Sequence, residues 1–218
     1  MFNLNMYIDN YCERLDPGLF GEPFNTITNI AFLIVAYCLG KYLTTVEKNI
    51  GYSDRQSRYL INLVWFIGFG SLAFHIFSSL WAGIFDTLPI ALLILSYSYL
   101  SLRRFFSINK YISVLAPLII ILMNLVLNKM GDVTNSAYFA ALIGMILIGC
   151  IAFLCDKKRI FFGMLISVIV FTISLTFRIF DEILCLNIAI GTHWIWHILN
   201  ALTLYIIIKL FIDHKLDH

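Results

Sequence analysis

Charge is what this sequence lacks most. Only 13% of its 218 residues are Asp, Glu, Lys or Arg, against 61% hydrophobic. A soluble domain of this size cannot be clothed so thinly, because its outside must face water. No polar stretch is long enough for a second domain, and no repeat or low-complexity segment is present. The first twenty residues, MFNLNMYIDNYCERLDPGLF, lack the basic start and apolar block of a secretory signal and carry acids instead. Cysteine is odd in number, five, which excludes a fully paired intramolecular framework and permits one bridge. Histidine is scarce as well, with five in the chain, and two of those (His214 and His218) lie in the C-terminal tail.

What the chain has is apolar runs near or above the ~20 residues that cross a bilayer. The fold expected is an all-α, multi-pass integral membrane protein with seven transmembrane helices over roughly 23–45, 58–79, 82–103, 110–128, 136–155, 160–178 and 192–212. These make one domain: an extramembrane segment 1–22, a helical bundle 23–212 and a tail 213–218. Twelve of the fifteen basic residues, from Lys41 and Lys48 to Lys209 and Lys215, fall on one side; Arg14, Lys129 and Arg178 fall on the other. The positive-inside rule then puts the N-terminus outside or in a lumen and the C-terminus in the cytoplasm.

Polar side chains inside the apolar runs are rare, and hydrocarbon penalises them, so each marks a functional-site hypothesis. They concentrate in Gly70–Pro89, GSLAFHIFSSLWAGIFDTLP, which holds Ser71, His75 and Asp86 and reads as a helical hairpin broken near Ser79–Gly83. At ~1.5 Å rise per residue His75 and Asp86 would both lie roughly 6–8 Å below that break. Ser71 and His75 are four apart, as are His193 and His197 at the start of the last span, so each pair shares a helical face. Both helix ends meet the same membrane surface in the expected topology. Every intramembrane histidine therefore belongs to one cluster, which a hydrogen-bonded packing role explains poorly.

Three histidines with one position left open is the ligand set of catalytic zinc, which makes bound water nucleophilic at neutral pH. Asp86 is then a proton acceptor, a fourth ligand or a partner of a histidine; Ser71 is an oxyanion donor or a packing residue. A haem clamp and a serine hydrolase built on Ser71 are competing readings. At the N-terminal side, Glu22 precedes Pro23 at a helix start, where the helix dipole favours an acid. Acids and amides there, Asn25 among them, also suit a hard cation such as calcium.

Together the spacings Ser71-x-x-x-His75, Asp86 eleven residues on, and His193-x-x-x-His197 resemble the alkaline ceramidase family, part of a wider group of seven-span hydrolases that includes the adiponectin receptors. Tyr11-Cys12-Glu13, Glu22-Pro23-Phe24-Asn25-Thr26 with Asn29, Asp86-Thr87-Leu88-Pro89 and Trp196-His197 extend the resemblance. It implies zinc on His75, His193 and His197, and hydrolysis of a ceramide-like N-acyl amide assisted by Asp86 and Ser71. The partner implied is a lipid substrate entering from the bilayer, with no role for nucleic acid. The alternative is a receptor or scaffold of the same fold with a structural zinc. The membrane would be a bacterial inner membrane or a eukaryotic internal one.

The resemblance also implies a calcium site on Asn10, Tyr11, Glu13 and Glu22. Here the sequence departs: the usual Asp-Trp pair reads Asn10-Tyr11, and Leu15 stands where an asparagine ligand is expected. Either Asp16 or Asn25 compensates, or calcium binds weakly or not at all. The family's outer-side bridge implies a disulfide between Cys12 and Cys185, with Cys38, Cys150 and Cys155 left as thiols.

Overall fold

The computed structural model describes residues 3–14, 19–131 and 135–216. Among these it forms ten helices: α1 Pro23–Thr28, α2 Ile30–Ile50, α3 Arg55–Phe77, α4 Leu80–Phe106, α5 Lys110–Ser113, α6 Leu115–Lys129, α7 Ser136–Leu154, α8 Lys158–Ile179, α9 Asp181–Leu184 and α10 His193–Asp213. Seven segments among the described residues are long and apolar enough to span a bilayer, the first joining α1 to α2 and the fourth α5 to α6. The all-helical, seven-span architecture expected from hydropathy is therefore present. Large apolar side chains such as Leu122 (61% exposed) and Ile166 (52%) face outward, as a surface facing lipid requires.

At the centre lies α10, packed against α1, α2, α3, α4 and α8. It buries both apolar residues (Ile208, Phe211, Ile212) and polar ones (His193, His197, Asn200, Thr203). A helix hydrophobic on all sides is one enclosed by its neighbours, and its first turn carries the histidine pair into that enclosure.

The hairpin turns earlier than its sequence suggests. α3 ends at Phe77, Ser78 takes a left-handed conformation (φ 42°), and α4 begins at Leu80. Gly83 is helical, with its open side filled by the Phe74 ring. The N-terminal segment secures the turn through Ile8 N–H to Ser78 O (2.8 Å), Leu80 N–H to Met6 O (3.0 Å) and Trp81 N–H to Leu4 O (3.0 Å). His75 is consequently one turn from the hairpin end and Asp86 two, rather than level.

Because α4 starts at Leu80, Pro89 lies inside it rather than in its first turns. Proline has no N–H for the carbonyl four residues back, which is that of Phe85. Gly70 of α3 packs against this carbonyl: a Cβ there would collide with Phe85 O and lie 2.9 Å from the Asp86 Cα. Only glycine allows the two backbones this approach, which brings Asp86 beside the α3 face carrying Ser71 and His75.

At the other end of the bundle, Arg104 of α4 makes two bonds to Asp54, to Oδ1 and Oδ2, at 2.7 Å each. Asp54 also caps α3 by accepting from Ser57 N–H (3.3 Å), and Arg104 bonds the Phe211 carbonyl (3.0 Å). The starts and ends of α3, α4 and α10 are tied together away from the histidines.

Candidate metal centre

His75, His193 and His197 converge, each 1% exposed. One ring nitrogen from each lies within 4.8 Å of the others. They arrive from the last turn of α3 and the first turn and a half of α10. Helix propensity alone would not fix the start of α10. Asp181 does so from α9: its Oδ1 accepts the N–H groups of Thr192 (2.6 Å) and His193 (2.8 Å), and its Oδ2 that of Cys12 (3.1 Å). These are donors that a helix start leaves unsatisfied. Gly191, at φ +60°, makes room, since a Cβ would lie 2.7 Å from the Cys12 Cβ and collide with Asp181.

Hydrogen bonding backs two of the rings. His75 Nδ1 lies 2.5 Å from Glu22 Oε2; a carboxylate only accepts, so Nδ1 donates there and Nε2 is the nitrogen turned to the cluster. His197 Nδ1 lies 2.9 Å from Thr28 Oγ1, a hydroxyl that also reaches the Phe24 and Asn25 carbonyls at 2.8 and 3.1 Å. The two Nε2 atoms are 3.1 Å apart, close to the ~3.3 Å between two nitrogens held at ~2.0–2.1 Å by one tetrahedral ion. His193 Nδ1 is buried with no hydrogen-bond partner among the described residues. A metal ion would engage all three rings at once. The residues fit a metal.

Asp86 completes the group. Ser71, 5% exposed, presents its hydroxyl to the Asp86 carboxylate, and Asp86 Oδ1 is buried without a partner among the described residues. Tyr11 covers the other side, its ring stacked on His193 at 3.8 Å between centroids. Burial pushes the Tyr11 phenol up to about 12, with Arg178 opposing, so the ring is neutral. Arg178 Nη1 donates to the Tyr11 oxygen (3.2 Å) and Nε to Asn135 Oδ1 (3.1 Å). A haem fits none of this, because rings 4.6–5.3 Å apart between centroids leave no porphyrin slot.

The ceramidase family model matches residues 10–216 of the 218. The chain belongs to the ceramidase family. No curated protein matches it. Membership, with seven apolar spans, supports a multi-pass membrane enzyme that hydrolyses the amide bond of ceramide.

In this ceramidase, Cys12 and Cys185 form a disulfide (Cα–Cα 5.3 Å), while Cys38, Cys150 and Cys155 are thiols. The positions considered for calcium are placed differently from one another. Asn10 is exposed, the Tyr11 carbonyl accepts the Arg14 N–H (3.2 Å), and Leu15 and Asp16 lie outside the described residues. Glu13 accepts the N–H groups of Phe24 (2.6 Å) and Asn25 (2.8 Å), capping α1 from a distance. The dipole role assigned to Glu22 thus belongs to Glu13. Glu22 accepts from Arg14 Nε (2.6 Å), Asn25 Nδ2 (2.9 Å) and His75. Asn25 Oδ1 is a buried oxygen with no partner among the described residues, as are Thr26 Oγ1 and Asn29 Oδ1 beside it. Three neutral oxygens fall short of the six to eight that calcium takes, Arg14 is already paired to Glu22, and both Glu13 oxygens accept backbone N–H groups. The described residues do not fit calcium.

Four residues of the centre escape sequence reasoning: Arg14, Thr28, Arg178 and Asp181. Arg14, Arg178 and Asp181 are visible there only as charges near span ends, and Thr28 has no signal at all. What ties them to the centre is far away in the chain: the His75 carbonyl for Arg14, His197 for Thr28, Tyr11 for Arg178 and the Cys12 N–H for Asp181, 61 to 169 positions distant.

Proposed function

We propose that this ceramidase is a zinc-dependent intramembrane amidase that cleaves a ceramide-like N-acyl lipid into a fatty acid and a sphingoid-type amine. The observation that carries it is the convergence of three buried imidazoles within 4.8 Å, with the His75 and His197 Nε2 atoms 3.1 Å apart and their Nδ1 atoms backed by Glu22 and Thr28. His75, His193 and His197 would hold the ion. When bound, zinc supplies Lewis-acid polarisation of the amide carbonyl and activation of water at neutral pH.

Glu22 and Thr28, on the two Nδ1 atoms, orient the His75 and His197 rings. Asp86 accepts the proton of the attacking water as the C–O bond forms, and delivers it to the amide nitrogen as the C–N bond breaks. Once Asp86 has taken the water's proton, Ser71 turns its hydroxyl from that carboxyl to the oxygen that has gained charge. An apolar cavity lined by Ile67, Tyr97, Tyr138, Phe171, Asn200 and Leu204 lies within the bundle. Tyr138 packs on Trp196 beside His197, so a lipid chain in that cavity brings its polar end to the metal centre. The distribution of Lys and Arg favours a site facing the outer or lumenal side.

Metal analysis of the purified protein should find about one zinc per chain, and His75→Ala should lose it. Incubation with a panel of long-chain amides, read by mass spectrometry, should show cleavage by wild type. Asp86→Asn should keep zinc and lose turnover. Zinc bound in both with no amide cleaved by wild type would instead identify a receptor or scaffold. Undiminished turnover in Asp86→Asn would remove its proton-transfer role.

A further inference from the structure

We infer that the guanidinium of Arg14 is a built-in cation that does in this chain what calcium would do, holding Glu22 and through it His75, so that the centre is independent of calcium. Arg14 is a positioning residue that reaches His75 by two routes. Its Nε bonds Glu22 Oε1 at 2.6 Å, and the other oxygen of that carboxylate takes the His75 ring proton at 2.5 Å. Its Nη2 bonds the His75 main-chain carbonyl at 2.7 Å. One side chain thus fixes both the backbone and the imidazole of a metal ligand.

The arrangement is enclosed. The side chains of Arg14 and Glu22 are 1% and 2% exposed. A desolvated carboxylate requires a cationic or hydrogen-bonding partner, and here the partner is covalently part of the chain. A dication on Glu22 would have to sit beside the buried guanidinium, where weak screening makes like charges repel strongly. It would also need Glu13, whose two oxygens are committed to the Phe24 and Asn25 N–H groups. The Cys12–Cys185 bridge and the Cys12 N–H bond to Asp181 anchor the chain two residues before Arg14. The cation is therefore supplied by folding rather than by the medium.

The proposal rests on the metal centre described above, and its test reads ion binding instead of lipid cleavage. The full-length, zinc-loaded protein in an uncharged detergent is titrated with calcium chloride to about 1 mM, within the range where weak calcium modules saturate. Wild type should retain no radioactive calcium, and its unfolding temperature should move by less than about 1 °C. Saturable calcium binding with a rise of about 5 °C, the size expected of a specific ligand well above its Kd, overturns the proposal.

Zinc affinity, measured by competition with a chromophoric chelator, is the second readout. Arg14→Gln should weaken it about 10–100-fold, as loss of support behind a ligand histidine does. Arg14→Lys, which keeps the charge, should recover part of that loss. Unchanged zinc affinity in Arg14→Gln, or no recovery with lysine, makes Arg14 a packing residue and also overturns the proposal. If neither variant folds, the calcium titration of wild type decides alone. A wild type that holds no zinc would defeat the proposed function, while the calcium result would still decide this inference.

Discussion

Gly70 lies against the backbone of Asp86, so close that a Cβ on Gly70 would come within 2.9 Å of the Asp86 Cα. The same Cβ would strike the Phe85 carbonyl, which Pro89 leaves without its helical donor. Asp86, the proton acceptor of the proposed mechanism, is thus positioned by the absence of a side chain on the neighbouring helix.

Gly70→Ala is expected to push α3 and α4 apart. Overpacking costs about 1–3 kcal/mol when side chains yield, and here the opposing atoms are backbone, so the upper end applies. Unfolding temperature should fall and amide cleavage should drop more than zinc content, because the hairpin displaces Asp86 before it breaks the histidine cluster. Gly68→Ala is the control. Its Cβ would press on the end of the Leu33 side chain, which can rotate away, so the effect should be smaller. Equal effects for the two variants would remove the backbone argument.

Thr28→Val should weaken zinc binding about 10–100-fold with little loss of fold stability. The substitution keeps the shape and removes the oxygen 2.9 Å from His197 Nδ1, leaving that ring without its outer partner. Thr28→Ser, which retains the oxygen, should bind zinc like wild type. Chelator competition on the three proteins measures this directly.

Acid should expose the Asp54–Arg104 tie. Burial raises the Asp54 pKa, but the hydrogen bonds from Arg104 and Ser57 outweigh it and hold the carboxyl below its ordinary range. The unfolded chain, with Asp near 3.9, then binds more protons than the folded one. The pair's contribution is complete above about pH 3.9 and is lost as pH falls from there through the native value. Asp54→Asn should lower the unfolding temperature at neutral pH, and the gap to wild type should close as the pH drops below about 4. A gap independent of pH would remove the charge argument, since asparagine caps a helix as well as aspartate does.

Much of this protein is legible in its residues alone. Hydropathy yields seven spans because the bilayer demands long uncharged helices, whatever their neighbours do. Scarcity makes the three histidines and Asp86 conspicuous, and four-residue spacing puts them on shared faces. What linear spacing cannot carry is direction between elements. His75 and Asp86 are not level because the turn is made by Ser78–Ser79, at the very start of the expected Ser79–Gly83 stretch. Glu22 meets His75 because folding brings together residues 53 positions apart, and Glu13 takes the helix-capping role that Glu22 would fill locally. Asp181, eleven residues before Thr192 across a loop, caps α10 only because α9 folds back over it. Residue chemistry and helical period determined that the three histidines, Asp86 and Ser71 belong to the centre. The partners that orient the rings, Arg14, Thr28, Arg178 and Asp181 among them, were decided by contacts between segments distant in the chain, where close packing and the cost of an unsatisfied buried charge leave few arrangements.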